Sequence, residues 1–380
     1  MNKLILTAVI TLGSVLQGYG QLTYTDSLSI NGINREFIVY VPNSYDSSIE
    51  TPLLFNFHGF GSLNSNHMGY CDMRPIADTA GFILIYPQGS LYGASPHWNV
   101  GSWTYLSSAN DLGFTETMID TLAHQYNIDL NRVYSCGFSN GGYFSYVLAC
   151  QLSSKIAAIG SVGGTMSTET FNACTPSRPV PVVSIHGTTD GTVSYYGGTP
   201  FNSKSQEDVL SYWAQKNNTD TSSTSISLPN TYTQDGSTVT HNGFHNGDSC
   251  VSVEHYMVTN GGHDWPGSWG NMDINASKII WNFVSKYDLN GLITCNSISV
   301  SEHTIKTNIN VFPNPTDGLV YFGLEQTKQC DYIVYSITGE PVQHGKLNKP
   351  HNSIDLSNLP SSWYIIQLEN TYYKVYKRNY

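Results

Sequence analysis

Charge is what this chain has least of. Asp, Glu, Lys and Arg make up only 12% of its 380 residues, and 28 acidic residues outnumber 17 basic ones for a formal charge of −11. An acidic chain without a basic cluster is a poor partner for nucleic acid or for an anionic membrane surface. The seven cysteines, Cys71, Cys136, Cys150, Cys174, Cys250, Cys295 and Cys330, include no Cys-x-x-Cys pair, which argues against a zinc framework. Past the first twenty residues, no run is apolar enough to cross a bilayer.

Those first twenty residues read as a secretory signal. Lys3 supplies the positive start, Leu4 to Leu16 the apolar core, and Gly18-Tyr19-Gly20 a small-residue exit before Gln21. An exported chain permits disulfides, and an odd number of cysteines leaves at least one unpaired or paired with another chain. Cys150 and Cys174 flank a strand segment and could pair; Cys136 reads as a small buried residue. The length suits one large domain and a smaller one. The expected division is 1–20 signal, 21–290 the large domain, 291–308 linker and 309–380 a C-terminal domain.

Most of the chain alternates short apolar strands with helices. A hairpin turning at Asn31-Gly32 is followed by strands at Pro52–Phe57, Phe82–Tyr86, Ile156–Val162, Val180–His186 and Val251–Val258. Helices are expected over Cys71–Ala80, Leu112–Tyr126, Gln206–Lys216 and Asn271–Tyr287. Such alternation predicts an α/β fold: a mostly parallel sheet with helices on both faces and ligands beyond the carboxyl ends of the strands.

The organising stretch is Arg132 to Tyr143, in which an apolar strand runs into Gly137-Phe138-Ser139-Asn140-Gly141 and out into a helix. That is the sequence form of a nucleophile elbow, with Ser139 exposed on a tight turn. Serine needs a base to take its proton, and the base needs a carboxylate to hold its tautomer. The chain supplies them in the order Ser139, Asp190, His263, and the acid and the base each follow a predicted strand. Asp190-Gly191 could alternatively be a plain turn pair, and Asp111 and Asp264 are rival acids. Asp264 is disfavoured because its side chain should point away from that of its neighbour His263. The backbone N–H groups of Asn140 and Phe60 are the expected oxyanion donors. His58 reads as a structural histidine bracing the loop of Phe60. Among the tryptophans near the expected site, Trp98 and Trp265 are the candidates for substrate contact, ahead of Trp103 and Trp269.

Several of these segments carry a resemblance. His58-Gly59, Tyr86-Pro87-Gln88-Gly89, Trp98-Asn99, Gly137 to Gly142, His186 to Asp190 and Gly262 to Gly267 are similar, in order, to the secreted esterases grouped with poly(3-hydroxybutyrate) depolymerases and feruloyl or acetylxylan esterases. The resemblance spans about 34–287. It implies an α/β-hydrolase sheet, a Ser-His-Asp mechanism without metal or cofactor, and action on polyester or on feruloyl or acetyl esters of plant polysaccharide. One departure is Asp264, where similar proteins often carry Thr. The competing class is a non-catalytic carbohydrate-binding or surface adhesion protein on the same fold.

After Tyr287 a polar connector, 296–308, leads to short alternating strands, including Tyr332–Ile337 and Trp363–Leu368. Strand signals about every ten residues predict a small β-sandwich. Pro313-Asn314-Pro315-Thr316-Asp317-Gly318, the Ile337-Thr338-Gly339 turn and the basic end Lys374 to Arg378 resemble the sorting domain of the bacterial type IX secretion system. That resemblance implies the type IX machinery as a partner and a secreted or cell-surface location. The alternative for this domain is a carbohydrate-binding sandwich.

Overall fold

A computed structural model describes residues 22–295, 311–322, 330–337, 339–347, 353–368 and 371–378. The expected signal at 1–20 and the connector 296–308 lie outside them. The chain forms two compact units that divide between Ile298 and Ser299.

The first unit opens with the hairpin β1 (Leu22–Ile30) and β2 (Ile33–Val41), and Asn31 and Gly32 at its turn both have positive φ. Two residues with left-handed backbone are what a tight hairpin needs to match the twist of its strands. Next come β3 (Thr51–Phe57), α1 (Asn64–Tyr70), α2 (Arg74–Ala80) and β4 (Ile83–Pro87). A single helix was expected over Cys71–Ala80. The break falls at Cys71 to Met73 because Pro75, lacking an N–H, is tolerated only in a first turn and so opens a new helix.

A small hairpin, β5 (Ser90–Tyr92) with β6 (Ser95–His97), precedes α3 (Asp111–Gln125), β7 (Ile128–Phe138), α4 (Asn140–Gln151), β8 (Ala158–Val162) and α5 (Thr168–Ala173). After β9 (Val182–Gly187) and α6 (Gln206–Lys216) come β10 (Thr224–Ser227), β11 (Thr238–Phe244) and β12 (Val253–Thr259). The unit finishes with α7 (Ala276–Val284) and the two-residue strands β13 (Tyr287–Asp288) and β14 (Gly291–Leu292). The α7 helix is shorter than the expected 271–287. Asn275 starts it by accepting a hydrogen bond from the Lys278 amide, leaving 271–274 in the preceding loop.

Ten strands form one sheet in the order β1-β2-β4-β3-β7-β8-β9-β12-β11-β10. Its centre, from β4 to β12, is parallel, and the pairs at both edges are antiparallel. Successive side chains of a strand face opposite ways. Leu53, Phe55 and Phe57 therefore join the core under α3, α4 and α6, with Leu122, Phe144 and Trp213. Leu54 faces the other core, with Ala77 of α2 and Ile280 of α7. This is the α/β-hydrolase arrangement. It brings the carboxyl ends of β3, β7, β9 and β12 to one edge.

Two disulfides staple the unit, Cys150–Cys174 and Cys250–Cys295. The second ties residues 291–295 to the first unit, so the connector begins later than the expected 291. Cys71 and Cys136 are free and buried.

The second unit is a small all-β sandwich. One sheet is β15 (Val311–Phe312), β16 (Leu319–Phe322) and β19 (Ser353–Asp355). The other is β18 (Pro341–Leu347), β17 (Cys330–Ser336), β20 (Ser362–Leu368) and β21 (Thr371–Lys377). Val320, Phe322 and Ile354 from the first sheet meet Val334, Leu347, Ile366 and Val375 from the second in one apolar core.

Candidate active site

Ser139 lies between β7 and α4 with φ 55° and ψ −119°. A non-glycine residue stays in that region only where its surroundings hold it there. Here the restraint is close approach of backbone. A Cβ on Gly141 would sit 2.0 Å from the Phe57 carbonyl oxygen, and one on Gly137 would sit 2.5 Å from the Gly141 carbonyl carbon. The Ser139 amide donates to the Val162 carbonyl at 2.8 Å, and its own carbonyl accepts from the Tyr143 amide at 3.0 Å. Glycines before and after the serine let β7 turn into α4 within one residue, hard against the end of β3.

Asp190 and His263 meet across two neighbouring loops. The Thr189 amide donates to the Gly261 carbonyl at 3.0 Å and the Thr189 hydroxyl to the same oxygen at 2.8 Å, tying the loop after β9 to the loop after β12. The His263 Nδ1–H donates to Asp190 Oδ2 at 2.7 Å. Asp190 Oδ1 accepts from the amides of Thr192 and Val193, both at 2.8 Å. A further imidazole, His186, places Nε2 3.1 Å from Asp190 Oδ2.

The tautomer of His186 is set by its neighbours. Ser184 donates to the Gln206 side-chain oxygen, so the Gln206 nitrogen donates to the Gly164 carbonyl and to His186 Nδ1 at 2.6 Å. That leaves His186 Nε2 as the N–H, shared between Asp190 and the Val193 carbonyl. Burial alone would raise the Asp190 pKa. The hydrogen bonds from His186 and His263 outweigh it and hold the carboxyl well below the usual carboxylate range. An ionised acid on Nδ1 leaves Nε2 of His263 as the nitrogen free to take a proton.

The rival acids are engaged elsewhere. Asp111 Oδ1 receives the Arg35 guanidinium at 2.8 Å with both side chains buried, and its Oδ2 receives the Asn99 amide at 2.7 Å. Asp264 turns back to accept the Gly262 amide at 3.1 Å.

Ser139 and His263 line the same cavity of about 490 Å³, together with Asn140 and Phe60. The Asn140 amide opens α4, where a helix has no internal acceptor for it. Its side chain is clamped to Trp98: Oδ1 accepts the Trp98 amide at 2.7 Å and Nδ2 donates to the Trp98 carbonyl at 3.0 Å. Phe60 is 45% exposed on the cavity wall. Its segment is held by the Gly61 amide donating to the Pro96 carbonyl and by the Trp98 indole donating to the His58 carbonyl at 2.9 Å. A Cβ on Gly59 would meet Ser139 Cβ at 3.3 Å, so this segment lies directly against the serine.

His58 itself donates from Nδ1 to the Gly59 carbonyl and accepts the Gly89 amide at Nε2. Burial pulls its pKa down to about 4, so the ring is neutral. It braces the loop.

The two tryptophans expected to touch substrate do not line the cavity. Trp98 is 0% exposed, stacked on Phe144, and Trp265 is 1% exposed with its indole N–H on the Ser277 hydroxyl. Each has a buried acceptor and a packed face, so each belongs to the core. The rings that do line the cavity are Phe60, Tyr70, Tyr92, Trp103, Phe138, Tyr143 and Phe201. Of these, Trp103 stands behind Trp98 when judged on loop position, and Phe201 carries no sequence signal at all.

Residues 36–217 match the family described as esterase PHB depolymerase, and residues 310–379 match the secretion system C-terminal sorting domain. A bifunctional acetylxylan esterase/xylanase of Neocallimastix patriciarum is 28% identical over 274 residues, covering 72% of this chain and 36% of that protein. Feruloyl esterase B of Piromyces equi is 31% identical over 166 residues, 43% of this chain and 31% of that protein. The chain thus spans about a third of the length of these two relatives. Among solved structures, an acetyl xylan esterase from Aspergillus awamori aligns with a TM-score of 0.49 at 17% identity, over 69% of this chain and 99% of that one.

Proposed function

We propose that this chain, whose residues 36–217 match the esterase PHB depolymerase family and whose residues 310–379 match a secretion-system sorting domain that marks it as secreted or cell-surface, is a serine carboxylic ester hydrolase. The observation that carries the reading is the hydrogen bond from His263 Nδ1 to buried, ionised Asp190, with Nε2 left free in a cavity shared with a serine on a strained elbow.

In the proposed reaction His263 Nε2 takes the Ser139 proton as Oγ attacks the acyl carbon, and Asp190 stabilises the imidazolium that forms. The amides of Asn140 and Phe60 donate to the oxyanion. His263 returns the proton to the leaving alcohol, and water then cleaves the acyl-enzyme by the same route.

The substrate is read as an uncharged ester, of a polyhydroxybutyrate-type polyester or of feruloyl or acetyl groups on plant polysaccharide. Segments 51–71, 87–110 and 191–203, which supply much of the cavity wall, contain no Asp, Glu, Lys or Arg. Export through the type IX machinery is proposed for the C-terminal unit. Hydrolysis of a small chromogenic ester by the wild type, abolished in Ser139→Ala, tests the reading. A wild type with no turnover favours a binding or adhesion protein on this fold, and full activity in the variant removes Ser139 from the mechanism.

A further inference from the structure

Resting on the esterase reading, we propose that Trp103 is the specificity-determining residue of the cavity, selecting esters that carry an aromatic ring over esters of short aliphatic acids. Among the cavity rings, Trp103 is the hub. Its centroid lies 5.4 Å from Phe60, 5.2 Å from Phe201 and 6.2 Å from Tyr143, at interplanar angles of 66°, 57° and 81°. These are the edge and tilted arrangements that aromatic pairs favour. The three partners come from the loop after β3, the segment before α6 and the first turn of α4. One indole therefore joins three walls of a cavity that also holds Ser139.

The backbone beneath this ring is built to hold it still. Gly101 and Ser102 both have left-handed φ, 69° and 46°. The Ser102 hydroxyl bonds the Glu169 carboxylate, and the Thr104 hydroxyl accepts the Val100 amide at 2.8 Å. Asn99, which begins the turn, is held by buried Asp111. By contrast, the indole N–H of Trp103 is buried without a hydrogen-bond partner. The side chain is thus held by packing without a hydrogen bond of its own, while Trp98 and Trp265 each use their N–H to anchor the core. An aromatic group of the substrate entering this wall would meet the same edge-and-face geometry that the protein rings already use.

The test compares kcat/KM for methyl ferulate and for triacetin in the full chain and in Trp103→Ala, Trp103→Leu and Trp103→Phe. In the Ala and Leu variants the ferulate-to-triacetin ratio is expected to fall about tenfold or more, mainly through KM for ferulate. Trp103→Phe, which sacrifices no hydrogen bond, is expected to stay within about threefold of wild type. If Trp103→Ala does not fold, Trp103→Leu carries the same expectation while keeping apolar volume. An unchanged ratio, or equal losses on both esters, overturns the inference and leaves the esterase reading intact. No turnover of either ester by the wild type sinks the esterase reading itself.

Discussion

Two buried carboxylates serve the strand-end edge of this molecule, and their partners set them apart. Asp111 is paired with Arg35, a cation that does not give up its proton in a protein. Asp190 is paired with two imidazoles, which can. The first region is a brace: Arg35 holds Asp111, Asp111 holds the Asn99 amide, and the adjoining Trp98 backbone clamps the Asn140 side chain beside Ser139. The second region is, in the proposed mechanism, a relay: Asp190 hydrogen-bonds His263, and His263 lines the cavity that Ser139 lines. A buried acid near a nucleophile is thus no sign of catalysis until the group it faces is known.

Mutation should separate the brace from the relay. The largest expected effect is in Ser139→Ala, where kcat on a small ester should fall by about a millionfold with the circular dichroism spectrum unchanged. Asp190→Asn should lower kcat by about 10⁴-fold, because an amide can neither hold the His263 tautomer nor balance its charge. Asp111→Asn should do the reverse. It leaves Arg35 buried without its anion and should cost about 3–5 kcal/mol in a denaturant titration, while kcat in the fraction still folded stays within about tenfold. A loss of turnover confined to Asp111→Asn would invert the assignment.

Acid should act on two buried histidines before it acts on Asp190. His58 has its folded pKa depressed from 6.5 to about 4 by burial, with Arg35 adding to the effect. Below pH 6.5 the unfolded chain takes up a proton that the folded chain refuses, so stability declines as pH falls from about 6.5 and the decline levels off near 4. For this one group the loss is about 3 kcal/mol. His255, buried and pulled down to about 3, adds to the decline and extends it to lower pH. Asp190 behaves differently. Its folded pKa lies below the ordinary 3.8, so its contribution is fully present above that value and is lost only as pH drops beneath it. Unfolding midpoints measured from pH 7 to 3 should therefore fall first between 6.5 and 4. A flat profile over that window would contradict neutral, buried imidazoles.

Much of this is legible in the sequence. Ser139, Asp190 and His263 stand in order after apolar strands, because a parallel sheet announces its strands as continuous hydrophobic runs and its site as the residues just beyond them. Cys150 and Cys174 pair as their positions allowed. The misses have physical causes. Strand β10 is fully exposed Thr-Ser-Ile-Ser at the sheet edge, with no buried face to mark it. Trp98 and Trp103 stand five residues apart in the same uncharged stretch. Trp98 is fully buried with its N–H on an acceptor while Trp103 lines the cavity, and nothing local in the stretch marks the difference. Arg35 and Asp111 are 76 residues apart, and nothing local in either segment names its partner.

The most direct test is covalent. A fluorophosphonate reacts with a serine that a neighbouring base has activated, as Oγ attacks phosphorus and fluoride leaves. Mass spectrometry of the digested full chain should find one phosphonyl group per molecule, on the peptide containing Ser139, and none after His263→Ala. A label on another residue, or labelling of Ser139 that survives loss of the imidazole, would contradict the account.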